Sequence, residues 1–178
     1  MEIDIKVIKK YAMEKEDENW MFRLFLKGYE NHDLDDILHE LFRQVSAAID
    51  CTACGNCCKT IPPHLNRKDI LKLSKTLEIA PERFISDYVY KNEDGDLVMK
   101  RMPCPFLIEK KCAHYDSRPA DCASYPHLHK SDFAYRLIGV IQNYSICPIV
   151  FNVYEALKHK LRSEFKDFQV YLCNHQYP

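Results

Sequence analysis

Four cysteines stand within eight residues of this chain, at Cys51, Cys54, Cys57 and Cys58. The two-residue gaps allow two thiolates to turn back toward one metal ion, about 2.3 Å from each sulfur. Four further cysteines follow along the chain, at Cys104, Cys112, Cys122 and Cys147. Eight thiols are sufficient for two four-coordinate metal sites, so the spacing predicts metal binding.

How these thiols pair is open. Neighbouring side chains in extended backbone leave on opposite faces, so we expect Cys57 and Cys58 to serve different sites. One hypothesis places Cys51, Cys54, Cys57 and Cys147 in one site, and Cys58, Cys104, Cys112 and Cys122 in the other. The alternative is a single polynuclear site that shares them all.

Four thiolates suit both tetrahedral zinc and iron-sulfur clusters. The run Cys51-x2-Cys54-x2-Cys57, with a distant Cys-Pro pair at Cys147 or Cys104, resembles the bacterial ferredoxin run and its closing Cys-Pro. Structural zinc knuckles use the same two-residue gap. We therefore expect an iron-sulfur cluster first and zinc second.

The composition narrows the classes of function. With 178 residues and 47% hydrophobic content, the chain can bury a core without cross-links, and nine cysteines leave one over from any disulfide set. The charged N-terminal residues do not resemble a signal peptide, so we expect a cytoplasmic protein with reduced thiols. A net charge of −1 and the lack of a long apolar run favour metal ions as partners, with neither nucleic acid nor a membrane. No protein partner is indicated.

Apolar residues at helical spacing predict most of the elements. A helix from Asp33 to Ile49, with Asp33 as its N-cap, would deliver Cys51 at its C-terminal end. Asn66 is a plausible cap for a second helix. Pro81 and Pro148 predict the starts of two more, the first burying Phe84, Ile85 and Tyr88 and the second extending to Phe168.

Strands are predicted at three places. Residues 3–8 alternate apolar and polar types, and residues 135–141 are a further candidate. Residues 97–102 and 106–108 are expected to be extended around a turn at 109–111, in a hairpin that Cys104 and Cys112 would flank. The expected fold is a small α+β domain over residues 1–178, with helices around a cysteine-ligated centre. Its metal-binding region is residues 51–148, and helical elements at 20–50 and 148–168 pack on it.

The second cysteine group carries a longer motif, C-P-F-L at Cys104, then cysteine and tyrosine before R-P-A-D-C at Arg118–Cys122, then Tyr125-Pro126. Together with the first cluster and Cys147-Pro148, it resembles the YkgJ-type cysteine-cluster (CxxCxxCC) family, described as zinc- or iron-chelating. The resemblance covers residues 51–148. It implies that the eight cysteines named above are the ligands and that Cys173 is not one of them.

Other residues near the cysteines are secondary candidates. Gly55 suits a turn around a metal because glycine adopts positive φ freely. Arg118 is a candidate donor to backbone carbonyls or sulfur. Four histidines could complete a zinc site, although an ordinary hydrogen-bonded imidazole is the commoner outcome for each: His64, His114, and the pair His127 and His129, which we expect to alternate on a strand-like piece.

Three functions are compatible with these features. The first is a metal protein without catalysis of its own, in a structural, redox or metal-handling role. The second is an enzyme or enzyme subunit, because the family resembles a segment of flagellin lysine methylases that use S-adenosylmethionine. The third, a zinc-ribbon-like nucleic-acid module, is disfavoured because Lys110 and Lys111 alone do not form a basic surface.

Overall fold

The computed structural model describes residues 1–29 and 33–175. Ten α-helices lie within them: α1 (Ile5–Glu14), α2 (Glu16–Lys27), α3 (Leu34–Ala48), α4 (Cys57–Thr60), α5 (Arg67–Thr76), α6 (Pro81–Tyr88), α7 (Ala120–Ser124), α8 (Leu137–Tyr144), α9 (Pro148–Lys160) and α10 (Arg162–His175). Four short strands occur in the same part of the chain: β1 (Val89–Lys91), β2 (Leu97–Met99), β3 (Leu107–Ile108) and β4 (Lys111–Cys112). The predicted α+β class is confirmed.

The chain divides into two compact units, Met1–Ile49 with Pro126–Pro178, and Asp50–Tyr125. The first unit is helical, whereas all four strands belong to the second. The division into two compact units does not test whether residues 1–178 form one domain, which stays a prediction.

Helix α9 forms the centre of the first unit. Eight of its thirteen residues are buried, and it packs against α3, α8, α1 and α10. Aromatic rings fill the surrounding core: Phe22 contacts the rings of Tyr154 and Phe165 edge-on, at centroid distances of 5.4 and 4.9 Å. Such edge-to-face pairs add to the hydrophobic stabilisation of the burial itself.

Two predicted strands in this unit are helices. Residues 3–8 enter α1 because the Asp4 side chain accepts the Lys6 amide as an N-cap, and Ile5 and Ile8 fall on one helical face. Residues 135–141 belong to a 3-10 turn and to α8, whose buried Leu137, Val140 and Tyr144 recur every three to four residues. Both segments are too short for alternation of residue types to separate a strand from a helix.

The helix predicted from Pro148 begins there, with Pro148 at its first position. It is not continuous to Phe168, because α9 ends at Lys160 and α10 begins at Arg162. Leu161 at the break is 3% exposed, so the apolar face continues through the interruption. The predicted helix from Asp33 is confirmed as α3, which ends three residues before Cys51.

A partly buried ionic network joins α2, α8 and α9 in the first unit. The Glu155 carboxylate lies 2.5 Å from Lys15 Nζ and 2.9 Å from Lys158 Nζ, and it accepts a 2.8 Å hydrogen bond from the Tyr144 hydroxyl. Lys158 also pairs with Glu18 at 2.7 Å, and its side chain is only 8% exposed. Burial opposes ionisation of Glu155, but hydrogen bonds from Lys15 and Lys158 outweigh it and lower the pKa of this carboxyl.

We expect Glu155→Gln to lower the free energy of unfolding by about 2 kcal/mol, because Lys15 and Lys158 lose a shared anionic partner in a partly buried setting. Urea denaturation at pH 7 measures the difference. The exposed pair Lys10–Glu14, at 3.7 Å, provides the control: Glu14→Gln should change the same quantity by less than about 0.5 kcal/mol.

The pH dependence gives a second check on this network. A carboxyl whose pKa is lowered on folding stabilises the protein above its ordinary pKa, which is 4.5 for glutamate, and that contribution is lost as the pH falls through the folded value. The difference between wild type and Glu155→Gln should therefore shrink as the pH is lowered below 4.5. A difference that is constant from pH 7 to pH 3 would contradict an ionic origin.

The second unit is built around α5, α6 and two hairpins. Its core contains seven buried hydrophobic side chains: Leu65, Ile70, Leu73, Phe84, Val89, Met99 and Phe106. Asn66 caps α5 as predicted, within a capping box in which the Asp69 side chain accepts the Asn66 amide. Helix α6 begins at Pro81 and buries Phe84, but Ile85 is 41% exposed, contrary to the prediction.

Both hairpins are antiparallel. Strand β1 pairs with β2, so that Val89 lies opposite Met99, and β3 pairs with β4, so that Leu107 lies opposite Cys112. The turn predicted around residues 109–111 is confirmed, with Cys112 inside the second strand rather than beyond it. Within residues 1–29 and 33–175, no single helix has the length and apolar character to cross a membrane; α8 and α9, bent by 115° at their junction, meet that criterion only when combined.

Candidate metal centre

The first cysteine cluster is a tight double turn. The Asp50 carboxylate accepts the Thr52 amide and hydroxyl, at 2.9 and 2.7 Å, and so caps a 3-10 turn over Cys51–Ala53. Gly55 then reverses the chain with φ +63°, a conformation that side chains with a Cβ rarely adopt. The turn continues into α4, which begins at Cys57. The expectation of positive φ at Gly55 is confirmed.

The β3–β4 hairpin lies directly against this turn. A Cβ atom added to Gly55 would lie 2.6 Å from the carbonyl oxygen of Lys110 and 3.0 Å from its Cα. Nearby, the Cys104 amide donates a 2.7 Å hydrogen bond to the Cys58 carbonyl. Backbone contacts therefore join the first cysteine cluster to the second within this unit.

One cavity of about 460 Å³ opens between these segments. Six of the predicted ligands line it: Cys51, Cys57, Cys58, Cys104, Cys112 and Cys122. They come from a 3-10 turn, a short helix, a loop, a strand and another short helix, so only the folded chain brings them together.

Cys57 and Cys58 do not point to opposite sides, contrary to the expectation for extended backbone. They begin α4, where successive side chains are about 100° apart, and both line the cavity with their sulfurs 4.0 Å apart. The adjacency of Cys57 and Cys58 therefore does not force them into separate sites.

The thiols are close to one another without forming a finished coordination shell. Across residues 1–29 and 33–175, no three Cys, His, Asp or Glu side chains are arranged tightly enough to hold one metal ion. Binding a metal would therefore require sulfur atoms to move closer together, and rotation of a cysteine side chain into another rotamer is one way to move them.

The thiols that line the cavity have pKa values shifted in different directions. Cys58 accepts a hydrogen bond from Cys57, which outweighs burial and lowers its pKa to about 7. Burial, with a further contribution from the nearby Cys58 thiolate, raises the pKa of Cys122 to about 12. Burial also raises the pKa values of Cys51, Cys104 and Cys112. Because metals bind thiolates, binding at these positions must release protons.

Three basic side chains, Lys110, Lys111 and Arg118, share the cavity wall with the thiols. The Arg118 guanidinium lies 3.8 Å from the centre of the Tyr115 ring and donates a 2.7 Å hydrogen bond to the Tyr115 carbonyl. The prediction that Arg118 donates to a backbone carbonyl is confirmed. These cations stabilise negative charge in the cavity, which deprotonated cysteines would supply.

The hydrophobic core forms another part of the wall. Leu73, Met99 and Phe106 line the cavity and are at most 7% exposed. Beside this apolar part of the wall, interactions between charges are less screened than in open solvent.

The histidines of this unit have other partners. His64 bridges to Val98 in the backbone and lies 3.6 Å from Asp96, and the His114 ring contacts Phe106 edge-on at 5.2 Å. His127 and His129 belong to the other unit, in a turn where His127 has φ +62°. The expected strand at that pair is wrong.

Three cysteines stand apart from the six. Cys54 ends the 3-10 turn directly before Gly55, and it is not among the described residues that line the cavity. Cys147 belongs to the other unit, where it is the buried N-cap residue of α9. Cys173 is exposed on α10.

Comparison with known families addresses the whole cysteine pattern. Residues 50–139, just over half of the chain, match the CxxCxxCC family, whose description is a "putative zinc- or iron-chelating domain". The chain belongs to this family. The CxxCxxCC match begins directly before Cys51 and includes seven of the eight predicted ligands, with Cys147 beyond its end. Comparisons with curated proteins and with solved structures gave no match.

Membership of the CxxCxxCC family supports the binding of metal ions, either zinc or iron.

The sequence analysis did not identify two aspartates, Asp121 and Asp69, whose hydrogen bonds hold the cysteine-bearing segments in place. Asp121 lines the cavity and accepts the His64 amide at 3.0 Å, so it ties α7 to the chain after the first cluster. Its position one residue before Cys122 was a signal available in the sequence.

Proposed function

We propose that the unit Asp50–Tyr125 binds a polynuclear metal–thiolate centre. The observation that carries this proposal is the single cavity lined by six cysteines. A tetrahedral ion takes four thiolates, so six exceed what one ion needs. The ligands would be these six thiols, with Cys54 as a seventh from the same turn. Cys147, which belongs to the other unit, stays a sequence prediction as the eighth.

The donor atoms fit zinc or iron better than other metals. Sulfur is a soft ligand that suits zinc and iron-sulfur clusters, whereas calcium and magnesium require oxygen. Lys110, Lys111 and Arg118 support the same assignment, because several thiolates around divalent or trivalent ions leave a net negative charge that nearby cations stabilise.

An iron-sulfur cluster is our first candidate because of the Cys-x2-Cys-x2-Cys run that starts at Cys51. Zinc is the second, favoured by one distance. Sulfurs bound at 2.3 Å to one tetrahedral ion lie about 3.8 Å apart, and the Cys57 and Cys58 sulfurs are already 4.0 Å apart. Both forms place these neighbouring cysteines in one shared centre.

Anaerobic purification with elemental analysis and a visible spectrum tests the proposal. An iron-sulfur protein would be brown and would contain iron with acid-labile sulfide. A zinc protein would be colourless with at least two zinc ions per chain. Fewer than two metal ions per chain under anaerobic conditions would overturn the proposed polynuclear centre.

The role that the fold supports best is structural. The segments that carry the cysteines are short, since α4 has four residues, α7 has five, and β3 and β4 have two each. Elements of this length are not stable by themselves, so bound metal would supply cross-links that their backbone hydrogen bonds cannot.

Removing the metal with a chelator should therefore destabilise residues 50–125 selectively. Their free energy of unfolding should fall by about 10 kcal/mol at most. Hydrogen exchange localises the effect: amides of α5 and of both hairpins should lose protection. Amides of α3 and α9, in the other unit, are the internal control. Unchanged protection of residues 50–125 after complete metal removal would exclude a structural role and favour a redox or metal-handling one.

A further inference from the structure

Helix α5 presents one polar edge to the segment that leads to Cys122. Lys72 Nζ donates a 2.5 Å hydrogen bond to the Asp116 carbonyl, and Thr76 Oγ1 donates a 2.9 Å bond to Ser117 Oγ. Asp69 stands one turn earlier on the same edge, because positions 69, 72 and 76 share a helical face. It accepts the Ala120 amide at 3.0 Å through Oδ1.

Asp69 is buried, with 6% of its surface exposed, whereas Lys72 and Thr76 on the same edge are exposed. Its second oxygen, Oδ2, accepts the Asn66 amide at 3.1 Å in the capping box of α5. The capping box requires only that oxygen. The other oxygen reaches across 51 residues of sequence to Ala120, the first residue of α7.

The group that Asp69 binds, the Ala120 backbone N–H, has no hydrogen-bond acceptor within α7. The first amides of a helix have no acceptor within that helix, and α7 has only five residues with which to define its own direction. Cys122 follows Ala120 by two residues and lines the cavity. The direction in which α7 starts therefore determines where the Cys122 sulfur lies.

We propose that Asp69 is a positioning residue for Cys122: its carboxylate anchors the start of α7 and so directs this thiol toward the other five cysteines of the cavity. This inference rests on the proposed function, because positioning Cys122 matters for metal binding only if the metal–thiolate centre exists. The contact itself involves only residues of the chain, so it is testable with and without metal.

Two readouts separate this role from a general contribution to folding. Zinc affinity, measured by competition with a chromophoric chelator, reports on the assembled centre. The rate at which iodoacetamide alkylates Cys122 in the metal-free protein, followed by peptide mass spectrometry, reports on the thiol itself. Far-UV circular dichroism and Tm confirm that each variant is folded.

Asp69→Ala should weaken zinc binding about tenfold or more, as loss of residues that orient metal ligands generally does, and should change the alkylation rate of Cys122 severalfold. Asp69→Asn should remain within about threefold of wild type in zinc affinity, because its one amide oxygen can accept from Ala120 while the bond to the Asn66 amide in the capping box is lost. Asn66→Ala is the matched control, since it breaks the capping box and leaves the Asp69–Ala120 bond intact. It should lower Tm by about 3 °C without the tenfold loss of zinc affinity.

Ala120→Pro tests the same bond from the other side, without a change in α5. Proline has no amide hydrogen and is accepted at the first position of a helix. Pro119, with φ −52° and ψ 151°, has the conformation that a following proline requires, and Ala120 is exposed. This variant should reproduce the loss in zinc affinity and the altered alkylation of Cys122 even if Asp69→Ala fails to fold.

The outcomes distinguish the two proposals. Wild-type protein that binds neither zinc nor iron contradicts the proposed centre, while the alkylation rates still test the role of Asp69. Wild-type protein that binds metal, with Ala120→Pro and Asp69→Ala equal to it in affinity and in Cys122 alkylation, overturns the positioning role and leaves the metal centre standing.

Discussion

Replacing Gly55 with alanine is expected to destabilise residues 50–125 by about 3 kcal/mol and to weaken metal binding at least tenfold. Two costs combine at this position. The residue has φ +63°, and the new Cβ would lie 2.6 Å from the Lys110 carbonyl oxygen and 3.0 Å from two other backbone atoms of Lys110. Backbone cannot move aside as a flexible side chain can, so the Cys51–Cys58 turn must separate from the hairpin.

Denaturation midpoints and chelator competition measure the two effects of Gly55→Ala. Gly139 provides a control of opposite sign. It lies within α8, and a Cβ added there has no atom within 4 Å among those described. Gly139→Ala should stabilise the protein by about 0.5–1 kcal/mol, because alanine is the better helix former. A Gly55→Ala protein with wild-type stability and metal affinity would show that the contact with Lys110 is unimportant.

Changing Cys58 or Cys122 singly to serine should remove nearly all bound metal from the protein. In a centre whose ions share ligands, loss of one thiolate affects every ion, whereas two independent sites would lose about half of the metal. Cys58 has the lowered pKa and is the neighbour of Cys57, while Cys122 comes from the opposite end of the motif. The two changes therefore sample the centre from both cysteine groups.

Metal per chain, measured after anaerobic purification, decides between these outcomes. Cys173→Ser is the matched control, because Cys173 is exposed on α10 and should leave the metal content unchanged. Retention of half of the metal in the Cys58→Ser protein would contradict a shared centre and restore the hypothesis of two sites. Cys147→Ser, measured alongside, tests the eighth predicted ligand.

The fold was predictable where a few adjacent residues decide the structure. Proline at Pro81 and Pro148 starts α6 and α9, and Asn66 starts α5, because these residues act on their own backbone and on the next few amides. The strand predictions at 3–8 and 135–141 failed because both segments are short, and burial in a helical unit outweighed local alternation of residue types.

The sequence by itself determined the chemistry of this protein: four cysteines at CxxCxxCC spacing with four more after them, a glycine where the turn needs positive φ, and membership of a zinc- or iron-chelating family. Only the tertiary structure decided which thiols meet. It brought Cys104, Cys112 and Cys122 to the cavity that Cys57 and Cys58 line, and it joined Asp69 to Ala120 across 51 residues. Residue types and spacing govern contacts over a few positions, whereas the packing of distant segments depends on the whole core.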